Sequence, residues 1–226
     1  MIKVRNIYKT YHPKVKVLKD LSLHIKPGEF VSIVGQSGSG KTTLVKSLIG
    51  EEKIDRGKVI IGGWDITNIG RREVPFLRRQ IGVIFQDYKL LPKKTLFENV
   101  AFALEVCGAQ PGRIKKIVPH VLRIVGLEDK MKRYPHEISG GEKQRTAIAR
   151  ALVHSPKVLL ADEPTGNLDA INANDIIDIL LSINRFGTTV VLVSHDKEIV
   201  NRLNKRVITI DDGRVISDRE RGKYII

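Results

Sequence analysis

A single cysteine, Cys107, stands in the 226 residues, so no disulfide can form within the chain and its core alone must hold the fold. That usage fits a reducing compartment, and Cys107 itself reads as a small buried apolar side chain. Aromatic residues make up only 5% of the chain, which excludes the interleaving of rings and basic side chains that marks many nucleic-acid surfaces. Charged residues break every apolar run well short of the roughly 18 residues a membrane helix needs. Met1 to Tyr11 has no signal-peptide core. Low-complexity linkers, heptads and internal repeats are also missing, so one compact domain with subdomains is expected. Acidic residues are the scarcer charge, 25 against 39 Lys and Arg, and the net charge of +14 favours anionic partners. The basic runs Arg71 to Lys94 and Arg113 to Arg133 read as solvated faces, and no nucleic-acid partner is expected.

Periodicity divides what is present into three zones. Met1 to Ile61 mixes β-rich runs, Val15 to Ile25 and Phe30 to Val34, with a helical stretch from Lys41 to Ile49. Thr95 to His154 is helical in pattern, interrupted at Gly108 to Gly112 and at Tyr134-Pro135. The third zone sets the apolar runs Val158 to Ala161 and Thr188 to Val193 on either side of a helical stretch, Ile171 to Asn184, as in β-α-β units of a parallel sheet. Val207 to Ile216 reads as a hairpin around Asp212-Gly213.

The strongest chemical signal is Gly35-Gln36-Ser37-Gly38-Ser39-Gly40-Lys41-Thr42, which follows an apolar strand and opens a helix. Its glycines let backbone N–H groups converge on phosphates, with the helix N-terminus adding positive potential. Lys41 is expected to reach the outer phosphates, and Thr42, followed by Thr43, to offer a hydroxyl to Mg2+. A metal site also needs a carboxylate at the end of a neighbouring strand, and Val158 to Ala161 runs into Asp162 and Glu163. Asp162 is expected to hold Mg2+ and Glu163 to polarise the attacking water. A second glycine-rich helix start, Ser139-Gly140-Gly141-Glu142, precedes the run Thr146 to Val153. It is an anion site in its own right, and two such termini in one chain call for more than a single nucleotide pocket.

With these motifs in order, the chain resembles the nucleotide-binding domain of ABC transporters. Ile138-Ser139-Gly140-Gly141-Glu142 is similar to the family's Leu-Ser-Gly-Gly-Gln signature, with Ile for Leu and Glu for Gln, while the Ser and Gly groups that meet phosphate are intact. The resemblance implies that the signature of one copy covers the γ-phosphate held by another, in an ATP-bound homodimer. It assigns Tyr11 to stacking on adenine, Gln86 to the Q-loop bridging metal and attacking water, Asp169 in Asn167-Leu168-Asp169 to the D-loop, and His195 to the switch histidine at the γ-phosphate. The implied fold is a P-loop α/β core with an N-terminal antiparallel β subdomain and an inserted helical subdomain. The core is expected at residues 1–86 and 156–226, and the helical insertion, carrying the signature, at 87–155. The implied activity is ATP hydrolysis with ATP and Mg2+, coupled to a separate integral membrane partner on the cytoplasmic side of the membrane.

Phe85 to Pro92 and Thr95 to Val106 are similar to the cell-division branch of that family. Ala161 to Asp169 is shared with lipoprotein-release and macrolide-exporter ATPases, which are the neighbouring alternative. DNA-repair and chromosome ATPases of the same type carry coiled-coil arms or DNA-binding domains, and this sequence has neither. A small-metabolite P-loop kinase would leave Ser139 to Glu142 and His195 without a role. The segment Asp87 to Phe102, where charge alternates with Tyr88, Leu90, Leu91 and Phe97, is expected to offer a groove to a cytoplasmic helix of the membrane partner.

Overall fold

The structure, a computed structural model, describes residues 1–224. It is built on two sheets. Strands β1 (Ile2–Tyr11), β2 (Val15–Ile25), β4 (Arg56–Ile61) and the two-residue β5 (Trp64–Asp65) form an antiparallel sheet in the order β2-β1-β4-β5. The second sheet runs β10-β9-β3-β8-β7-β6, from β3 (Phe30–Val34), β6 (Ile81–Ile84), β7 (Val158–Asp162), β8 (Thr189–Val193), β9 (Arg206–Asp211) and β10 (Arg214–Arg219). Its strands are parallel except β10, which closes the expected hairpin with β9. Strands β3, β7 and β8 carry continuous Val, Leu and Ile runs because both faces of this sheet are covered.

The pleat sends alternate residues to different cores. Val158 and Leu160, with Val191 and Val193, join Leu44, Val45 and Leu48 of helix α1 (Lys41–Leu48) and the inward residues of β1, β2 and β4. Helix α1 is thereby enclosed in the apolar cluster that joins the two sheets. Leu159 and Ala161, with Val190 and Leu192, face the other way, onto α5 (Gly140–Leu152) and α6 (Ala170–Arg185). The same cluster takes in α3 (Leu96–Val106) and α4 (Pro111–Ile124), so the helices lying between β6 and β7 in sequence share one core with the sheet.

Besides the two-residue β5, three short elements have no counterpart in the periodicity: α2 (Val74–Arg78), β6 and α7 (Lys197–Leu203). Strand β6 has four residues and includes Gly82, where a Cβ would lie 2.5 Å from Ala151 O, so only glycine lets the strand pack this close. Elements of four to seven residues span too few periods for a pattern to show.

Candidate ATP-binding and hydrolysis site

The C-terminal ends of the parallel strands gather the chemistry, as expected for an open α/β sheet. Register places Ile33 of β3 beside Val193 of β8, Val193 beside Asp162 of β7, and Ala161 beside Ile84 of β6. The loop of Gly35 to Gly40 therefore leaves β3 at the same sheet edge as Ser194-His195 after the neighbouring β8, Asp162-Glu163 at β7 one strand further, and Phe85-Gln86 after β6 beyond that.

Two positions in the loop admit only glycine. At Gly35, with φ of 153°, a Cβ would lie 2.1 Å from Ile210 O. At Gly40, with φ of 105°, it would lie 2.9 Å from Val17 O and from Leu18 of β2. The loop is thus pressed between β9 and β2, and Gly213 N–H of the β9–β10 turn donates to Ser39 O at 3.1 Å. Gln36, Ser37 and Gly38 face outward, and so does Thr42, while Ser39, Gly40 and Lys41 are buried and Thr43 is half-buried. The Lys41 ammonium curls inside the loop, donating to Gly35 O at 2.8 Å and Gln36 O at 2.7 Å. Burial lowers its pKa, an effect opposed by Glu163 and Asp162.

Helix α1 begins at Gly40 with no side chain capping it. Helices α3, α5, α6 and α7 are capped by Thr95, Ser139, Asp169 and Asp196, while α2 and α4, each with a proline in the first turn, also lack a side-chain cap. The first-turn amides of α1 have no acceptor within the helix, so this end is left to an anion.

Asp162 ends β7 with its Oδ1 buried and unpartnered. Burial raises its pKa, Glu163 adds to the rise, and Lys41 opposes it. An ionised oxygen so placed lacks a hydrogen-bond partner, and a divalent cation would supply a ligand for it. Among the described residues no cluster of three His, Cys, Asp or Glu could hold a metal. A Mg2+ bound here would have Asp162 as its carboxylate ligand, with phosphate oxygens and water as the partners such an ion ordinarily keeps. Glu163 follows in the left-handed region, φ 49°, unusual for a residue with a side chain and typical of strain kept at reactive sites. Its backbone is pinned by N–H donation to Val193 O at 2.9 Å, and its Oε2 meets His195 Nδ1 at 2.8 Å. His195 sits in the turn between β8 and α7, where Asp196 N–H donates to Ser194 Oγ at 3.0 Å.

Gln86 reaches across to the loop after Glu163. Its Nε2 donates to Asn167 Oδ1 at 3.4 Å, and Asn167 Nδ2 returns a bond to Gln86 O at 3.2 Å. Asp169 caps α6, its two oxygens accepting from Asn172 N–H at 2.9 Å and Asn172 Nδ2 at 2.6 Å. Tyr11 is half-buried at the end of β1, paired with Val15, with the Lys9 ammonium 5.1 Å from its ring centre.

Ser139, Gly140 and Gly141 form a separate place. Ser139 Oγ accepts from Glu142 N–H at 3.3 Å, and Ser139 N–H donates to Glu142 Oε2 at 2.9 Å. Glu142 is also paired with Lys130, so the acid that replaces the family's Gln completes a capping box and a salt bridge. Gly141 lies against Asn172, where a Cβ would come within 2.2 Å of Oδ1, and Gly140 lies near the Tyr88 hydroxyl. The contacts of this turn are thus with α6 and Tyr88, and among the described residues no hydrogen bond joins it to the phosphate loop.

The segment expected to offer a groove contributes Phe102 to an open apolar one. Tyr88, Leu90, Leu91 and Phe97 are half-buried, with Tyr88 O and Lys89 O bonded to Arg150 and Leu91 N–H bonded to Asn99. The open apolar groove lies between α2, β6 and α3, lined by Val74, Phe85, Phe102, Ala103 and Val106. Sequence reasoning missed Asn167 as the partner of Gln86 and Lys130 as the partner of Glu142, contacts between segments far apart in the chain.

A phosphate loop, a buried carboxylate oxygen without a hydrogen-bond partner and a Glu–His pair at one sheet edge, with a second glycine-rich helix start elsewhere, define an ATPase of the ATP-binding-cassette class. The ABC transporter family model matches residues 18–166, and the chain belongs to that family. It is 52% identical to the cell division ATP-binding protein FtsE of Bacillus subtilis, over 99% of this chain and 98% of that protein. The FtsE of Escherichia coli is 45% identical over 95% of this chain and 97% of its own length. Among solved structures, a dimeric ATP-binding cassette in a post-hydrolysis state bound to ADP and Pi superposes with a TM-score of 0.88 at 35% identity, covering 99% of this chain and all of that one.

Proposed function

We propose that this chain is the FtsE-like ATPase of a cell-division complex, binding an FtsX-type integral membrane protein from the cytoplasmic side and transmitting ATP-driven motion to the control of cell-wall hydrolysis. The observation that carries the ATPase part of this reading is the uncapped start of α1 around Lys41, set beside the unpartnered Asp162 Oδ1 and the Glu163–His195 pair. In this reading Gly35 to Thr43 bind the phosphates and Tyr11 carries the adenine. Asp162, Thr42 and Gln86 hold Mg2+, which supplies charge neutralisation at the phosphates. Glu163 takes the proton of the attacking water, and His195 orients Glu163 and donates to the γ-phosphate.

The active form is a homodimer. Ser139 to Gly141 contact α6 and Tyr88 within their own chain, which supports their acting on a nucleotide held by a second copy, next to Asp169 of the D-loop. Residues 87–155 form the helical subdomain and residues 1–86 with 156–226 the catalytic core. The cell-division assignment is supported by the relatives of that name at 45–52% identity. No helix among the described residues is long and apolar enough to cross a membrane, so attachment is assigned to the partner. The groove around Phe85, Phe102 and Val106 is its docking place. Phe102→Glu is expected to abolish co-purification of a co-expressed FtsX-type protein while ATP binding persists, and undiminished co-purification would place the docking elsewhere.

A further inference from the structure

Residues 222–224 cross from the β9–β10 hairpin back to the phosphate loop. Gly222 N–H donates to Lys205 O at 3.2 Å, and its lack of a side chain lets the segment lie on Val207, where a Cβ would come within 2.8 Å. Tyr224 N–H donates to Asn201 Oδ1 of α7 at 2.7 Å. The Tyr224 ring is 8% exposed and packs in a cluster of its own with Val34, Val200 and Val207, under the Lys197 ammonium at 5.5 Å. Its hydroxyl approaches Gly35 O at 3.4 Å, the same oxygen that accepts from Lys41. Burial raises the hydroxyl pKa, so it stays protonated and able to donate. At that length the hydrogen bond is weak, and most of the hold comes from the ring wedged between the last residue of β3 and α7.

We infer that Tyr224 is a positioning residue for ATP binding: it fixes the entry of the phosphate loop at Gly35 against α7, the helix that follows His195. This rests on the phosphate-loop reading above. Glycines leave Gly35 to Gly40 with little stiffness of their own, so the geometry presented to the phosphates depends on what braces the loop. Ile210, Val17 and Gly213 brace it from β9, β2 and the hairpin turn, and Tyr224 braces its first residue from the side of the Glu163–His195 pair.

The test titrates Mg-ATP into the full chain and separately follows thermal melting without nucleotide. Tyr224→Ala is expected to weaken ATP binding by the folded protein about tenfold, and Tyr224→Phe, which keeps the wedge, to stay within about twofold of the parent. A Tyr224→Ala protein that melts earlier but binds ATP as the parent does would overturn the inference, since a purely structural side chain changes the folded fraction and leaves its affinity alone. Should Tyr224→Ala fail to fold, Asn201→Ala removes only the tether from α7 and is expected to cost about threefold in affinity. Unchanged binding in that variant would overturn the inference too. Lys41→Ala separates the two levels: if it binds ATP normally the phosphate-loop reading has failed, whereas if it loses ATP while Tyr224→Ala does not, only the bracing role has.

Discussion

Two helices in this chain start on glycine-rich turns, and their first turns are finished in opposite ways. Helix α1 begins uncapped at Gly40 with a buried ammonium, Lys41, curled beneath its loop. Helix α5 begins on Ser139 with a complete capping box, and its acid, Glu142, is paired with Lys130. The α1 end has no side-chain cap and offers its first-turn amides to an anion within a single chain. The α5 end already has the carboxylate of its own first turn, so it is stable alone and has only its outward Ser and Gly groups to offer. Similar glycine motifs thus leave first-turn amides open in one place and close them with a side chain in the other, and the cap tells them apart.

The sharpest way to break that contrast is to empty α1 of its charge. Lys41→Ala is expected to weaken Mg-ATP binding by at least about 100-fold in equilibrium titration, because it removes the cation from a site built for a polyanion. If the contrast is right, Lys130→Ala at the other terminus leaves that affinity unchanged.

The next largest effect belongs to the pairing of the two ends. Glu163→Gln keeps the shape of the side chain and removes its basicity, so hydrolysis is expected to fall by about 100-fold while ATP stays bound. Sedimentation with Mg-ATP should then show a dimer, and adding Ser139→Arg should return it to monomer. A Glu163→Gln protein that binds ATP as a monomer, or a double variant that still dimerises, removes the role given to α5.

A smaller effect concerns stability at the α1 site. Asp162 has its folded-state pKa raised by burial, so the nucleotide-free fold loses stability as pH rises through the carboxylate range. Asp162→Asn is expected to stabilise the nucleotide-free protein by about 0.5–1 kcal/mol near neutral pH while ending the Mg2+ dependence of ATP binding. A lowered melting temperature would show that the carboxylate is already satisfied.

The smallest effect lies at α5. The Glu142 pKa is lowered, first by Lys130 and also by Ser139, so its contribution is full above the ordinary carboxylate range and is lost as pH falls through the depressed value. Lys130→Ala is expected to cost about 0.5 kcal/mol at neutral pH, with the gap to the parent closing as pH falls through the depressed Glu142 value. A gap that persists in acid would assign Lys130 a packing role.

Much of this site was legible in the sequence because its chemistry is local. Gly35 to Thr42, Asp162-Glu163 and Ser139 to Glu142 each lie in a few consecutive residues whose types declare their task, and the β-α-β alternation after Val158 puts two of them at one sheet edge. The brace around the loop was not legible, since Val17, Ile210, Gly213 and Tyr224 act through backbone carbonyls, an N–H group or a single ring and carry no spacing that links them to Gly35. The half-burial of Leu90 and Leu91 was not legible for a related reason. Leu90 and Leu91 look as available as Phe102 in a linear reading, and only the bonds to Asn99 and Arg150 show which face is turned inward.

Ser39 O is held by Gly213, and Gly35 fits beneath Ile210, so the loop is moulded by a hairpin encoded far downstream of it. At translation rates of about 5–20 residues per second, Gly213 emerges on the order of ten seconds after the loop does. During synthesis, therefore, the nascent chain carries its phosphate-binding residues without the mould that shapes them. Ribosome-bound fragments that stop before β9 should fail to retain ATP even though every residue that contacts its phosphates has already been made.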